Sequence, residues 1–132
     1  MDIQISTAQG RFPVTVFRIR GEVSAATSEQ VQEAAERAFL AGMRNLLLDL
    51  AEVPFISSTG LRAVHRLYML LRGDSAAESD EAVQRGLRDG SFKAPHLKLL
   101  NPTPDVREVL KVSGFDMFLE IHSDLEEAVA SF

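Results

Sequence analysis

The chain has 132 residues and a mass of 14.5 kDa, which is one domain's worth of sequence, long enough to bury about two-thirds of the surface its unfolded form exposes. Hydrophobic residues make up 45% and charged residues 25%, the balance of a soluble globular protein and not of a disordered or collagen-like one. The net charge of −5 gives no general attraction to nucleic acid or anionic lipid, and the absence of cysteine excludes disulfides, thiolate nucleophiles and sulfur-ligated zinc. The amino terminus lacks a basic segment followed by an apolar run, and no stretch reaches the roughly 18 apolar residues of a membrane span. The expectation is a cytoplasmic protein with no membrane insertion.

In chain order, Ile3 and Ile5, then Phe12, Val14, Val16 and Ile19, alternate with polar residues around Gln9-Gly10, the pattern of a hairpin. Thr27 with Gln30 forms a candidate capping box ahead of Val31, Ala34, Ala35, Ala38 and Phe39 at helical spacing, with Gly42 at the stop. Leu46-Leu47-Leu48-Asp49-Leu50 is apolar on both faces, as a central strand covered by other layers is. A second helix from Thr59 aligns Leu61, Val64, Leu67, Tyr68 and Leu71 and ends near Gly73.

Residues 74–93 form an expected acidic surface insertion, five acids against two arginines up to position 89, with 81–87 read as either a short helix or a loop. Strand character resumes at His96-Leu97-Lys98-Leu99-Leu100. Thr103 as cap and Pro104 at the first helical position open a third helix that buries Val106, Val109 and Leu110 and closes at Gly114. A last strand is predicted over about Met117 to Ile121, and Ser123 with Glu126 is a candidate capping box for a terminal helix carrying Leu125, Ala128 and Val129. The predicted fold is a single α/β domain over 1–132, a mixed, mostly parallel sheet with an opening hairpin and about four helices, in the order β-β-α-β-α-β-α-β-α.

Enzyme signatures are missing from the sequence: there is no Walker loop, no Gly-x-Gly-x-x-Gly, no Gly-x-Ser-x-Gly elbow and no His-Glu-x-x-His. His65, His96 and His122 lie far apart and read as surface or structural residues, so neither a metal nor a cofactor is expected. The informative stretch runs from Asp49 to Leu61, where Ile56-Ser57-Ser58-Thr59-Gly60 leads from the central strand into the second helix. Read plainly, Ser57 or Ser58 caps that helix. Read functionally, a hydroxyl there accepts a phosphate, whose added charge of about −1.5 to −2 the helix start tolerates. Phe55, Ile56, Phe115, Met117 and Phe118 are expected to be packed in the core.

Ile56-Ser57-Ser58-Thr59-Gly60-Leu61 after Leu47-Leu48-Asp49-Leu50 resembles the signature of the STAS domain family, specifically its bacterial anti-sigma factor antagonists. The resemblance extends over Gly21-Glu22-Val23, Leu100-Asn101-Pro102, Gly114-Phe115 with Phe118 and Ile121, and Leu125-Glu126-Glu127-Ala128. It implies a STAS-like sandwich and a protein that is not an enzyme but binds an anti-sigma factor that is also a serine kinase. Phosphorylation by that kinase would release the partner, and a metal-dependent serine phosphatase would reset the switch.

The resemblance places the phosphoacceptor at Ser58, with Thr59 and then Ser57 as the next candidates. The implied docking surface comprises Glu22, Ser24, Asp49, Ser57, Ser58, Thr59, Gly60 and Arg62, with Gly60 expected to let a partner approach the backbone. The sequence departs from the family pattern in two places: Ser57 stands where many phosphorylated relatives have an aspartate, and Ser24 stands where many have an acid. A member that binds constitutively, as a stressosome-like scaffold or a transporter-regulating module without phosphoryl control, is the alternative reading. A hydrolase using Ser58 lacks a base and an orienting acid at recognisable spacing.

Overall fold

The computed structural model describes residues 1–72 and 93–132. Five strands, β1 (Asp2–Gln9), β2 (Pro13–Arg20), β3 (Leu46–Glu52), β4 (Leu97–Leu100) and β5 (Ile121–His122), form one sheet in chain order. The opening hairpin is antiparallel, with Asp2 opposite Arg20 and Gln9 opposite Pro13, and every later pairing is parallel. Among the described residues the α-helices are α1 (Ser28–Leu40), α2 (Ser58–Arg72), α3 (Pro104–Ser113) and α4 (Leu125–Ala130). The insertion expected at 74–93 lies, except for Lys93, outside the described residues.

Alternation along the strands sorts side chains onto two faces. Phe17, Ile19, Leu46, Leu48, Leu50, Leu97 and Leu99 face the principal core, into which α1 sends Val31 and Ala35, α2 sends Leu61, Val64, Leu67 and Leu71, and α3 sends Val106 and Leu110. Val14, Val16, Leu47 and Leu100 face the other way and are covered by Ala128 and Val129 of α4. All five residues from Leu46 to Leu50 are buried, as expected of a strand with layers on both sides.

Local signals hold where they are self-contained. Thr103 caps α3 by accepting from the Val106 amide at 3.4 Å, Pro104 opens it, and Gly114 ends it at φ 81°, a left-handed conformation that glycine adopts without strain. Two caps differ from the reading above. The Thr27 side chain does not cap α1: its hydroxyl donates to the Glu22 carbonyl at 2.6 Å and accepts from the Ser24 amide at 3.0 Å, closing the loop before the helix. Asp124, not Ser123, caps α4, by accepting from the Glu127 amide at 3.1 Å.

The last strand is also shifted. After Gly114 the chain makes a 3-10 turn over Phe115–Met117, and β5 spans only Ile121–His122, opposite Leu99 and Leu100. The turn rolls Phe115 and Phe118 onto the core, where Phe118 meets Tyr68 edge-on at 5.4 Å between ring centroids, and it leaves Met117 54% exposed. Met117 is therefore neither a strand residue nor a core residue.

Candidate functional site

The site is assembled where the strands end. Beyond β3 the chain makes one more parallel bridge, Val23 with Ile56: the Val23 amide donates to the Phe55 carbonyl at 3.0 Å, and the Ser57 amide donates to the Val23 carbonyl at 2.9 Å. This bridge settles which way the two apolar residues before the serines point. Ile56 turns inward and is 1% exposed, whereas Phe55 turns outward and is 47% exposed. Phe55 is thus an apolar surface beside the helix start rather than the core residue expected from its hydrophobicity.

Ser57 is the cap of α2. Its Oγ accepts from the Gly60 amide at 3.1 Å and its carbonyl accepts from the Leu61 amide at 2.9 Å. Ser58, the first helical residue, is exposed, and its hydroxyl makes no hydrogen bond to another described residue. Thr59 follows half-buried. No acid occupies the first turn, so the amides and positive end of α2 are not neutralised from within the helix. Arg62, exposed and four residues beyond Ser58, forms no ion pair among the described residues. Residues four apart on a helix share a face, so Arg62 lies on the side of α2 that carries Ser58.

Gly60 has a different role from the one expected. It is buried, and a Cβ there would run into the carbonyl oxygen of Val23 and lie 2.8 Å from Ile56 Cγ1. The close approach that requires glycine comes from the protein's own β2–α1 loop and not from a partner. The same packing brings Glu22 and Ser24, on either side of Val23, next to the start of α2. Glu22 is exposed, while Ser24 is half-buried and accepts from the Thr27 and Ser28 amides through its carbonyl. From the other side Thr103 Oγ1 donates to the Val53 carbonyl at 3.0 Å, fixing α3 against the loop that carries the serines.

Asp49 does not join this cluster. It shares the face of Leu47, away from α2, where its carboxylate takes Arg18 Nε at 3.3 Å and the Ala51 amide at 3.1 Å with the side chain 8% exposed. Its observed role is to hold β2 to β3. The structure therefore groups Glu22, Ser24, Ser57, Ser58, Thr59 and Arg62 at one end of the sheet, adds Phe55, and leaves Asp49 out.

The histidines are dispersed. His65 stands on the exposed side of α2, His96 meets Asn45 Oδ1 at 2.9 Å, and His122 meets Glu120 at 3.2 Å. His122 Nε2 also lies 3.3 Å from Ser131 Oγ, but the same nitrogen faces both the hydroxyl and the carboxylate. A nucleophile relay needs the two ring nitrogens to take one partner each, so this trio is not one. No cluster of three or more His, Cys, Asp or Glu able to hold a metal occurs among the described residues. No helix among them is long and apolar enough to cross a membrane.

With this geometry in place, comparison with known proteins identifies the class. The family model of the STAS domain matches residues 6–76. BtrV of Bordetella bronchiseptica, described as a candidate anti-sigma factor antagonist, is 32% identical over 114 residues, which span 86% of this chain and 82% of that protein. The chain belongs to the STAS domain family. Its fold is that of the anti-sigma factor antagonist SpoIIAA. The unphosphorylated form superposes with a TM-score of 0.68 at 21% identity over 97% of this chain and 93% of that one, and the phosphorylated form from Bacillus with 0.62 at 21% over 97% and 96%.

Proposed function

We propose that this protein is an anti-sigma factor antagonist: it binds an anti-sigma factor that is also a serine kinase, is phosphorylated by that kinase on Ser58, and thereby loses its partner. It is a substrate and not a catalyst, and a metal-dependent serine phosphatase restores the binding form. The observation that carries the reading is the division of labour at the start of α2. Ser57 Oγ is committed to the cap, so Ser58 stands exposed with its hydroxyl available and without a structural role to lose. The family relation to BtrV supports the function, and the existence of SpoIIAA in a phosphorylated form supports the modification.

The chemistry favours Ser58 on both sides of the switch. In the free protein a phosphate there sits at the positive end of α2 and one turn from Arg62, so the fold accommodates it. In a complex the same dianion is buried against a surface that fitted a neutral hydroxyl, and desolvating it costs several kcal/mol, enough to weaken binding by about 10²-fold or more. Glu22, Ser24, Phe55, Ser57, Thr59 and Arg62 surround Ser58 and form the docking surface, with Phe55 as its apolar anchor.

The test is site-resolved mass spectrometry of the protein isolated from its own cells, with and without a broad phosphatase inhibitor. The reading predicts one phosphate, on Ser58, that accumulates when phosphatases are blocked. A protein that is never modified on Ser57, Ser58 or Thr59, yet keeps its partners, is a constitutive STAS scaffold instead.

A further inference from the structure

At the opposite end of the sheet from Ser58, the β1–β2 hairpin, the end of α1 and the segment leading into β3 line a groove. It is lined by Ile5 and Phe12, 56% and 51% exposed, by Ala38 and Met43, and by Arg37 and Arg44. Among the described residues no acid lines it, although the chain as a whole carries a net charge of −5. Arg44 is held in place by donating to the carbonyls of Phe39 at 2.9 Å and Met43 at 2.7 Å, with its guanidinium 3.9 Å above the Phe39 ring. Arg37 has only Glu33, at 3.7 Å, and both side chains are well exposed, so the pair contributes little and is readily exchanged.

Beside this groove runs a sheet edge. Among the described residues β1 pairs with β2 alone, in eight consecutive register positions without a bulge, and half of its backbone amides and carbonyls point outward. The devices that usually blunt an edge are missing from Asp2–Gln9: it contains no lysine, arginine or proline, and its one charge is at its first residue.

We propose that the β1 edge and the adjoining groove are a second docking surface, which takes an extended segment of a partner protein bearing apolar and acidic side chains. The segment's backbone pairs with β1 as a sixth strand, its apolar side chains cover Ile5 and Phe12, and its carboxylates meet Arg37 and Arg44. Charge complementarity selects this occupant: the charged side chains that line the groove among the described residues are both arginines, in a protein whose net charge is −5. The surface is separate from Ser58, so a bound segment leaves the phosphoacceptor accessible, and its test is independent of the switch.

Amide NMR of the isotope-labelled protein, titrated with a peptide of about eight residues mixing valine and glutamate, reads this directly. The proposal expects shifts in Asp2–Gln9, Phe12 and the end of α1 through Arg44, with the amides of Ser57 to Leu61 unmoved. The R37E/R44E variant should bind at least about tenfold more weakly, and I5K, altering an exposed side chain, should lose binding while keeping the wild-type melting temperature. R37E alone, which spares the Arg44 carbonyl bonds, should show the same direction. Equal binding of the peptide with lysine in place of glutamate would overturn the proposal, as would no shift at β1. Shifts at β1 that follow protein concentration without peptide would show a second copy to be the occupant instead.

Discussion

Ser57 and Ser58 carry the same side chain at adjacent positions, and the start of α2 gives them different roles. Ser57→Ala removes the Oγ that satisfies the Gly60 amide and should cost about 1 kcal/mol in thermal or urea unfolding, while Ser58 remains a phosphoacceptor. Ser57→Asp replaces one good cap with another and adds an acid beside Ser58. Its stability should stay within about 0.5 kcal/mol of wild type. A Ser57→Ala protein as stable as wild type would mean that the cap is not the role of Ser57. Gly60→Ala is the stronger perturbation, because its Cβ meets the Val23 carbonyl, backbone that cannot swing aside. A loss of about 2–4 kcal/mol is expected by denaturant titration, together with weaker partner binding, since the loop that presents Glu22 and Ser24 is the one pushed away.

At the scale of elements, the short pieces near the carboxyl terminus depend on one buried cation. Lys98, 3% exposed in the middle of β4, reaches Glu120 Oε2 at 2.9 Å and the Ser131 carbonyl at 2.8 Å, and lies 5.0 Å from the centre of the Phe132 ring. It thereby ties β5 and the end of α4 to the sheet. Burial pushes the Glu120 carboxyl up, but the hydrogen bonds and charges of Lys98 and His122 outweigh it and hold it below its ordinary value of 4.5. A carboxyl lowered in the folded state adds stability above its unfolded pKa, and that stability is lost as pH falls through the lowered value. Thermal unfolding between about pH 6 and pH 3 should therefore show a steeper acid loss for wild type than for Lys98→Met. Glu120→Gln, which leaves the buried ammonium without its counter-charge, should cost about 2–4 kcal/mol at neutral pH.

These same elements show what a sequence discloses. The caps at Thr103, Pro104 and Gly114 and the doubly buried strand Leu46–Leu50 are determined by neighbours within a few residues, so periodicity and turn chemistry reveal them. β5 is two residues long because its extent is set by Leu99 and Leu100 on another strand, and no local pattern records that. The partners of Lys98 lie 22 and 33 residues away, so its burial was equally hidden. At the site, the serine run and its helix were legible. The outward turn of Phe55 and the inward need for Gly60 were not, because the Val23–Ile56 bridge decides them; alternation along β3 sets the side of Asp49, but its partner Arg18 lies 31 residues away and leaves no local trace.

For the whole molecule, the parallel strands deliver the β2–α1 and β3–α2 loops and the start of α3 to one end, where the principal core holds them rigidly and Ser58 stands on the surface they make. The fold does not depend on that hydroxyl. Ser58→Glu should leave the unfolding free energy within about 0.5 kcal/mol of wild type, since a carboxylate at the first position of α2 suits the helix dipole and Arg62. Stability and binding are thereby separated, so a loss of partner in Ser58→Glu reports the interface and not unfolding. The most direct measurement is co-purification from the native host with wild type, Ser58→Ala and Ser58→Glu as baits. The switch predicts that an anti-sigma factor that is also a serine kinase is retained by wild type and Ser58→Ala and lost from Ser58→Glu. Equal retention of the same partners by all three would contradict it.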